Sequence, residues 1–176
     1  LQQIMKPSCI ITDVGSVKEN IHREVARLGL EHNFIGGHPM AGSEKTGYHN
    51  TSDRLVENAY YAITPTPVTD PAKLEQLIEI VKGIGALPVV LEPSEHDRVV
   101  AAISHLPHLI ASSLVNLVKD SDSKEGTMKL IAAGGFKDIT RIASSSPDMW
   151  EQICMTNREN ISEFLQAYVD RLLQVK

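Results

Sequence analysis

The sequence predicts an α/β half followed by an all-helical half, with the change near residue 92. Before that point short apolar runs alternate with helical patterns, and after it no convincing strand pattern remains. The chain has 176 residues, of which 42% are hydrophobic and 22% charged, and this length is sufficient for one large domain or two small ones with a real core. We therefore expect an α/β unit over residues 1–92 and a helical unit over residues 93–176.

Four short apolar runs predict the strands of the first half. They are residues 8–12, 33–37, 59–64 and 87–91. A helix is predicted after the first run, because Ser16-Val17-Lys18-Glu19 has the form of a capping box and Gly29 supplies a stop. A second helix is predicted from Asp70 as N-cap and Pro71 in the first turn to Gly83. Strands that alternate with helices imply a sheet covered on both faces.

Helical periodicity dominates the second half. Ser94 is predicted to cap a long helix with a kink at Pro107, and Ser146-Pro147 to open another that continues almost to the end of the chain. One apolar stripe of the long helix comprises Val99, Ile103, Leu106, Ile110, Leu114 and Leu117. The helical half is too apolar to bury its own surface, so we expect a homodimer that forms through it.

The stretch from Val99 to Val118 has twenty residues without Asp, Glu, Lys or Arg, which meets the length rule for a membrane-spanning helix. His105, Pro107, His108 and Asn116 would be costly in hydrocarbon, so we expect a buried helix of a protein interior and no membrane span.

Charge and cysteine content narrow the class of protein. Seventeen Lys and Arg against twenty-two Asp and Glu give a net charge of −5, which provides no basic stripe for nucleic acid. Cys9 and Cys154 lie far apart in apolar surroundings, which favours core positions in a reducing compartment. We therefore expect a cytoplasmic protein whose partners are small molecules or other protein chains.

Two loops of the first half could carry chemistry. The segment from Thr12 to Lys18 follows a predicted strand at the sheet edge where ligands collect, and Ser16 there is either an N-cap, a ligand-binding residue or both. His38 lies between glycines and Pro39, which restricts it to an extended backbone. An imidazole with a pKa of about 6.5 can act as a base near neutral pH, although a structural histidine in a Gly-rich turn would show the same pattern.

Two further patterns lie in the helical half. His105 and His108 are three residues apart, and without further ligands nearby they favour a polar pocket or hydrogen-bonded core positions over a metal site. Lys137 and Arg141 are one helical turn apart, and a guanidinium is the preferred clamp for a carboxylate. A solvated helix start, with Asp138 as a partner, would explain the second pattern equally well.

Taken together, these motifs resemble prephenate dehydrogenase, a family that also includes arogenate dehydrogenases. The resemblance rests on DxGSVK, GGHPMAGSEKTG, SHLPH and GGFKDxTR followed by Met149-Trp150, in this order and spacing. It covers nearly the whole chain and implies the C-terminal part of an NAD(P)-binding Rossmann-like domain over 1–92. Over 93–176 it implies an all-helical dimerisation and substrate-binding domain, with the active site in the cleft between the two.

The resemblance also implies site residues. His38 matches the base that deprotonates the ring hydroxyl of prephenate, and Ser16 matches the serine that orients it. Arg141 matches an arginine that binds a substrate carboxylate. The remaining expectations are a substrate pocket lined or gated by His108, His105, Ser43, Glu44, Lys45 and Lys137, and contacts of Thr12, Asp13 and Ser16 with the nicotinamide end of NAD or NADP.

One departure from the family pattern concerns the cofactor. The chain has no G-x-G-x-x-G turn, since Gly83-Ile84-Gly85 is followed by Pro88. We therefore expect a fragment that lacks the first part of the cofactor domain and is inactive by itself. Three alternatives stay open: an arogenate dehydrogenase, a catalytically silent dimerisation piece, and a related β-hydroxyacid-type dehydrogenase.

Overall fold

The computed structural model describes residues 5–42 and 47–176, which divide into two compact units. The described part of the first unit comprises residues 5–42 and 47–99, and the second unit comprises residues 100–176. Strands and helices alternate in the first unit, whereas the second contains helices and no strand among its described residues. The predicted fold class is confirmed.

The sheet of the first unit has three strands in the order β1-β2-β3. Strand β1 is antiparallel to β2, with His38 opposite Ala62, and β2 is parallel to β3. The strands are β1 (Ile35–Pro39), β2 (Tyr60–Pro65) and β3 (Leu87–Val90). The helices that belong to this half are α1 (Glu19–Arg27), α2 (Pro71–Gly83) and α3 (Pro93–Val100), and a short 3-10 turn covers Tyr48–Asn50.

The strand predicted over residues 8–12 is wrong, because this segment forms a single parallel bridge between Ile11 and Phe34. Backbone bonds on both sides of Ile11 make the bridge, from Ile11 N to the carbonyl of Asn33 and from Ile35 N to the carbonyl of Ile11. The amide side chain of Asn33 donates to the carbonyl of Cys9 at 2.7 Å. A side-chain bond therefore stands where a longer ladder would need a backbone partner.

Helices cover both faces of the sheet, as predicted. One face packs against α2 through a core of Ile35, Tyr61, Ile63, Leu77, Val81 and Ala86. On the other face, His22 of α1 lies 2.9 Å from the hydroxyl of Thr64 through its Nε2 atom. Neighbouring residues of β2 point to opposite sides of the sheet, so Ile63 serves the apolar core and Thr64 the polar contact.

The second unit consists of short and long helices joined by tight connections. They are a π-helical segment (Ala101–His105), α4 (Leu106–Ser121), α5 (Thr127–Ile131), α6 (Gly134–Thr140), a 3-10 turn (Arg141–Ser144), α7 (Pro147–Thr156) and α8 (Arg158–Val175). Two predicted features differ. The final helix divides at Asn157, and the long helix begins at Pro93 one residue before its predicted cap, Ser94.

The helical stretch Pro93–Ser121 is long and apolar enough, by length and composition, to cross a membrane. Its irregularity lies in the π-helical segment just before Pro107, where we predicted a kink. Of its most apolar 18-residue window, 28% is buried within this chain. The histidines of this stretch are buried and hydrogen-bonded, which suits a protein interior, and the absence of a membrane span stays a prediction.

Candidate functional site

His38 lies near the end of β1, where the ladder with β2 fixes its backbone. Pro39 holds His38 extended, as the sequence predicts. The imidazole is half-buried, and its Nδ1 atom lies 2.8 Å from Nε2 of His96. The two rings meet edge to face, with centroids 5.1 Å apart.

His96 and its neighbour Asp97 lie in α3, and each is only 1% exposed. Nδ1 of His96 is 2.8 Å from Oδ1 of Asp97. The same carboxylate accepts backbone N–H groups from Lys18 at 2.7 Å and Glu19 at 2.9 Å. Asp97 therefore binds the amino terminus of α1 and the ring of His96 at once.

The predicted capping role of Ser16 is wrong. Helix α1 begins at Glu19, its N-cap position is Lys18, and no local side chain caps it. Asp97 performs this function across the fold, which no local sequence pattern could reveal. The hydroxyl of Ser16 makes no hydrogen bond within the part of the chain that the structure describes, so it is available to a ligand.

An ion pair between the buried Lys18 and the half-buried Asp13 holds the peptide that precedes His38. The Asp13 carboxylate accepts N–H groups from Gly37 at 3.0 Å and from Gly15 at 2.8 Å, and it pairs with the Lys18 ammonium. Lys18 also donates to the carbonyl of Gly37 at 2.6 Å. Burial lowers the pKa of Lys18, and Asp13 opposes that shift. The backbone N–H and carbonyl of Gly37 are thus both hydrogen-bonded, which fixes the peptide bond that leads into His38.

The two glycines before His38 are required by internal packing. A Cβ atom on Gly37 would lie 2.6 Å from the Asp13 carbonyl oxygen, and one on Gly36 would lie 2.2 Å from Oγ1 of Thr64. Their lack of a side chain lets the loop at Asp13 and strand β2 pack against β1.

In the second unit, two histidines surround Trp150. The ring of His108 stacks on the indole with centroids 3.6 Å apart and planes 3° from parallel. His105 meets the same indole edge to face at 5.9 Å. The buried Asn157 amide donates to Nδ1 of His105 at 3.2 Å, while its own oxygen accepts from Asn160. This arrangement agrees with the interpretation of the two histidines as hydrogen-bonded core residues, which the sequence favours over a metal site.

The hydrogen bonds of His108 indicate its tautomer. Its Nδ1 atom donates to the carbonyl of Ile142 at 3.1 Å, and its Nε2 atom lies 3.4 Å from the hydroxyl of Ser112. Burial lowers the pKa of His108, against the effect of the Ile142 carbonyl. A neutral ring with its proton on Nδ1 fits both contacts.

The indole N–H of Trp150 is buried without an acceptor in the described residues. Such a donor costs free energy unless a ligand or partner supplies an acceptor. Arg141, which begins the 3-10 turn, and Lys137 in α6 are both exposed. Because Ile142 follows Arg141, the carbonyl that holds His108 belongs to the same short turn as the guanidinium.

Three predicted site residues, Ser43, Glu44 and Lys45, lie outside the described residues. Within the described ranges, no group of three His, Cys, Asp or Glu side chains could hold a metal ion. Sequence analysis missed His96 and Asp97. The available signal was the adjacent pair of titratable residues within Glu95-His96-Asp97-Arg98 at a helix start.

Two family descriptions together match the whole chain. "Prephenate dehydrogenase, nucleotide-binding domain" matches residues 1–92, and "Prephenate dehydrogenase, dimerization domain" matches residues 92–176. The prephenate dehydrogenase of Bacillus subtilis (strain 168) is 42% identical over 168 residues, which are 95% of this chain and 45% of that protein. The chain thus spans about half the length of the curated relatives it matches.

Solved structures give the same picture. The chain is similar to prephenate dehydrogenase from A. aeolicus in complex with hydroxyphenyl propionate and NAD+, with a TM-score of 0.89 and 34% identity, over 98% of this chain and 60% of that one. It is also similar to Synechocystis arogenate dehydrogenase, with a TM-score of 0.82 and 32% identity, over 96% of this chain and 61% of that one.

Proposed function

The chain belongs to the prephenate dehydrogenase family, and on this premise we propose that the complete protein is an NAD-dependent oxidoreductase of tyrosine biosynthesis. The proposed reaction is the oxidative decarboxylation of prephenate to 4-hydroxyphenylpyruvate. The observation that carries the proposal is the His38 imidazole, held at the end of β1 by a ring-to-ring contact with His96.

His38 acts as the general base in this proposal. It takes the proton of the ring hydroxyl while the C–H bond of the same carbon gives up its electron pair as a hydride. Loss of the ring carboxylate as CO2 then leaves its electron pair in the ring and gives an aromatic phenolate, which takes back a proton to become the phenol. Positive character grows at the hydroxyl-bearing carbon as the hydride departs, so a base acting on that hydroxyl stabilises the transition state more than the ground state.

The loop after Ile11 fits the nicotinamide end of the cofactor. Thr12 is exposed, with a long contact of 3.4 Å from its hydroxyl to the Asp13 carbonyl, and Val14 is 67% exposed. A hydroxyl and an apolar side chain together suit a flat ring that carries an amide. NAD supplies the hydride acceptor when bound. Ser16 would orient His38 and the reacting groups, while the Asp13 carboxylate stabilises the loop from within.

Substrate binding is assigned to the helical half. The exposed guanidinium of Arg141 binds a carboxylate, with Lys137 adding positive charge. His108 and His105 line the substrate pocket beside the indole donor of Trp150. Ser43, Glu44 and Lys45 complete this set as predicted pocket residues.

Arogenate is the second candidate substrate, and the similarity to Synechocystis arogenate dehydrogenase favours it. Prephenate and arogenate differ in a keto or amino group on the side chain, which a few polar contacts can discriminate. We also propose a homodimer that forms through the helical half, supported by its exposed apolar residues. A cytoplasmic location stays a prediction.

Kinetics of the complete native protein test the proposal. We expect reduced nicotinamide to form with prephenate or arogenate, and parallel assays with NAD and NADP identify the cofactor. His38→Asn should lower kcat by about 10²–10⁴-fold, because it removes general base catalysis. Arg141→Ala should chiefly raise KM, because it removes a carboxylate contact.

Two results would contradict the proposal. The absence of activity with both substrates and both cofactors would favour a catalytically silent dimerisation protein. An unchanged kcat for His38→Asn in an active enzyme would remove His38 as the base.

A further inference from the structure

We propose that His96 and Asp97 are positioning residues that hold the proton of His38 on Nδ1, so that Nε2 carries the lone pair. This inference rests on the proposed function, because it concerns the nitrogen that would act as the base. It assigns roles to two residues that the sequence motifs did not single out.

The argument begins at the Asp97 carboxylate. Its oxygens lie 2.7 Å and 2.9 Å from the backbone nitrogens of Lys18 and Glu19, and backbone N–H groups can only donate. Both oxygens therefore act as acceptors. Nδ1 of His96, 2.8 Å from Oδ1, is then the atom that carries the proton of this contact.

The second step concerns the charge of His96. The negative charge of Asp97 is already balanced by the amino terminus of α1 and by attraction to the Lys18 ammonium. A positive charge on the His96 ring, which is 1% exposed, would place one more charge in this buried cluster. A neutral His96 satisfies the geometry, and with its proton on Nδ1 its Nε2 atom is an acceptor.

The third step fixes His38. Its Nδ1 atom lies 2.8 Å from that acceptor, so Nδ1–H of His38 donates and Nε2 keeps the lone pair. The hydrogen bond at one ring nitrogen sets the protonation of the other. Asp97 also caps α1, the helix that follows the loop containing Ser16, so one buried carboxylate fixes both that helix start and the tautomer of His38.

Ring nitrogen NMR tests this chain of bonds without reference to turnover. In the complete native protein labelled with ¹⁵N-histidine, the His38 signals are assigned by their loss in His38→Asn. We expect a protonated Nδ1 and an unprotonated Nε2 for His38 at neutral pH. In His96→Phe, which removes the acceptor, the proton should move to Nε2 in a substantial fraction of molecules.

Kinetics supply the second readout. His96→Phe should lower kcat by about 10²-fold with little change in KM, because the substrate contacts stay in place. His96→Gln should restore most of the loss, since its amide oxygen can accept from His38 while its NH2 group donates to Asp97. His32→Phe, the same substitution at an exposed histidine, is the control and should leave both kinetic constants unchanged.

The outcomes separate this inference from the proposed function. A wild-type His38 with its proton on Nε2, or an unchanged tautomer in His96→Phe, overturns the inference even if the enzyme is active. An inactive wild-type protein overturns the proposed function, while the NMR result still decides the tautomer. If His96→Phe does not fold, His96→Gln decides. A kcat of His96→Gln close to the wild-type value, with the His38 proton on Nδ1 in both proteins, supports the inference. A His38 proton on Nε2 in His96→Gln overturns it.

Discussion

Lys18 and His22 are four residues apart and both face Gly36 of the sheet. Burial lowers the pKa of Lys18, and it lowers the pKa of His22, where the nearby Lys18 charge adds to the effect. Asp13 and Asp97 oppose the shift at both residues. The polar face of the sheet therefore keeps one paired ammonium and favours a neutral imidazole beside it.

His22 should make the stability of the protein depend on pH. Its pKa is below 6.5 in the folded state and near 6.5 in the unfolded state, so the unfolded state binds more protons as the pH falls through 6.5. The free energy of unfolding consequently decreases in that window. We expect the urea concentration at the unfolding midpoint to decrease when the pH is lowered from 7.5 to 5.5, and to decrease less in His22→Gln.

The matched control for this titration is His32→Gln, because His32 is exposed and its substitution should leave the pH dependence as in the wild type. A midpoint that falls equally in His22→Gln and in the wild type would show that His22 does not titrate in this window.

At the scale of elements, local signals were correct where the stabilising contact is local. Asp70 was predicted as the cap of α2, and its carboxylate accepts the N–H of Ala72 at 2.9 Å. Ser16 shows the same kind of pattern, yet α1 is capped by Asp97, 78 residues away. The backbone before α1 brings the start of this helix to α3, so the tertiary fold determines which residue caps it.

The strands show the same limit. Three predicted strands are present within one or two residues of their expected bounds, because a short apolar run is a local signal. The run at 8–12 has the same apolar character but pairs only through Ile11. The side chain of Asn33 donates to the Cys9 carbonyl, where a longer strand pairing would place a backbone hydrogen bond. The apolar composition of the run does not predict this side-chain bond.

The two candidate caps can be compared directly by equilibrium unfolding. Asp70→Ala should reduce the free energy of unfolding by about 1 kcal/mol, since it removes a local N-cap bond. Ser16→Ala should change it by less than about 0.5 kcal/mol, since Ser16 caps nothing in the structure. Asp70→Asn, which keeps a capping oxygen, is the control. A larger loss of unfolding free energy in Ser16→Ala than in Asp70→Ala would show that Ser16 caps α1 after all.

For the molecule as a whole, the sequence predicted the fold class of each half, whereas the roles it assigns to the site residues stay predictions. Five ordered motifs were enough for the family, because their order and spacing along the chain are specific as a set. The side-chain contacts between the motifs could not be predicted from the sequence. His38 meets His96 across 58 positions and Asn157 meets His105 across 52, and pairs so far apart in sequence carry no periodic signal.

The exposed apolar surface of the second unit is the remaining whole-molecule feature. Large side chains exposed there include Ile103, Leu117, Leu130, Ile131, Met155, Leu173 and Val175. Leu117 belongs to the apolar stripe recognised in the sequence and is 63% exposed. An exposed apolar surface of this kind indicates an interface, and a second copy of the chain is the partner we propose.

Multi-angle light scattering at micromolar concentration tests that partner. We expect the complete native protein to be a dimer, and Leu117→Asp to shift it towards the monomer, because a buried unpaired carboxylate at an apolar interface is costly. Asn116→Asp adds the same charge at the neighbouring exposed position, about 100° around the helix, and should leave the dimer intact. A wild-type monomer would contradict the homodimer, and a Leu117→Asp dimer as stable as the wild type would place the interface away from this stripe.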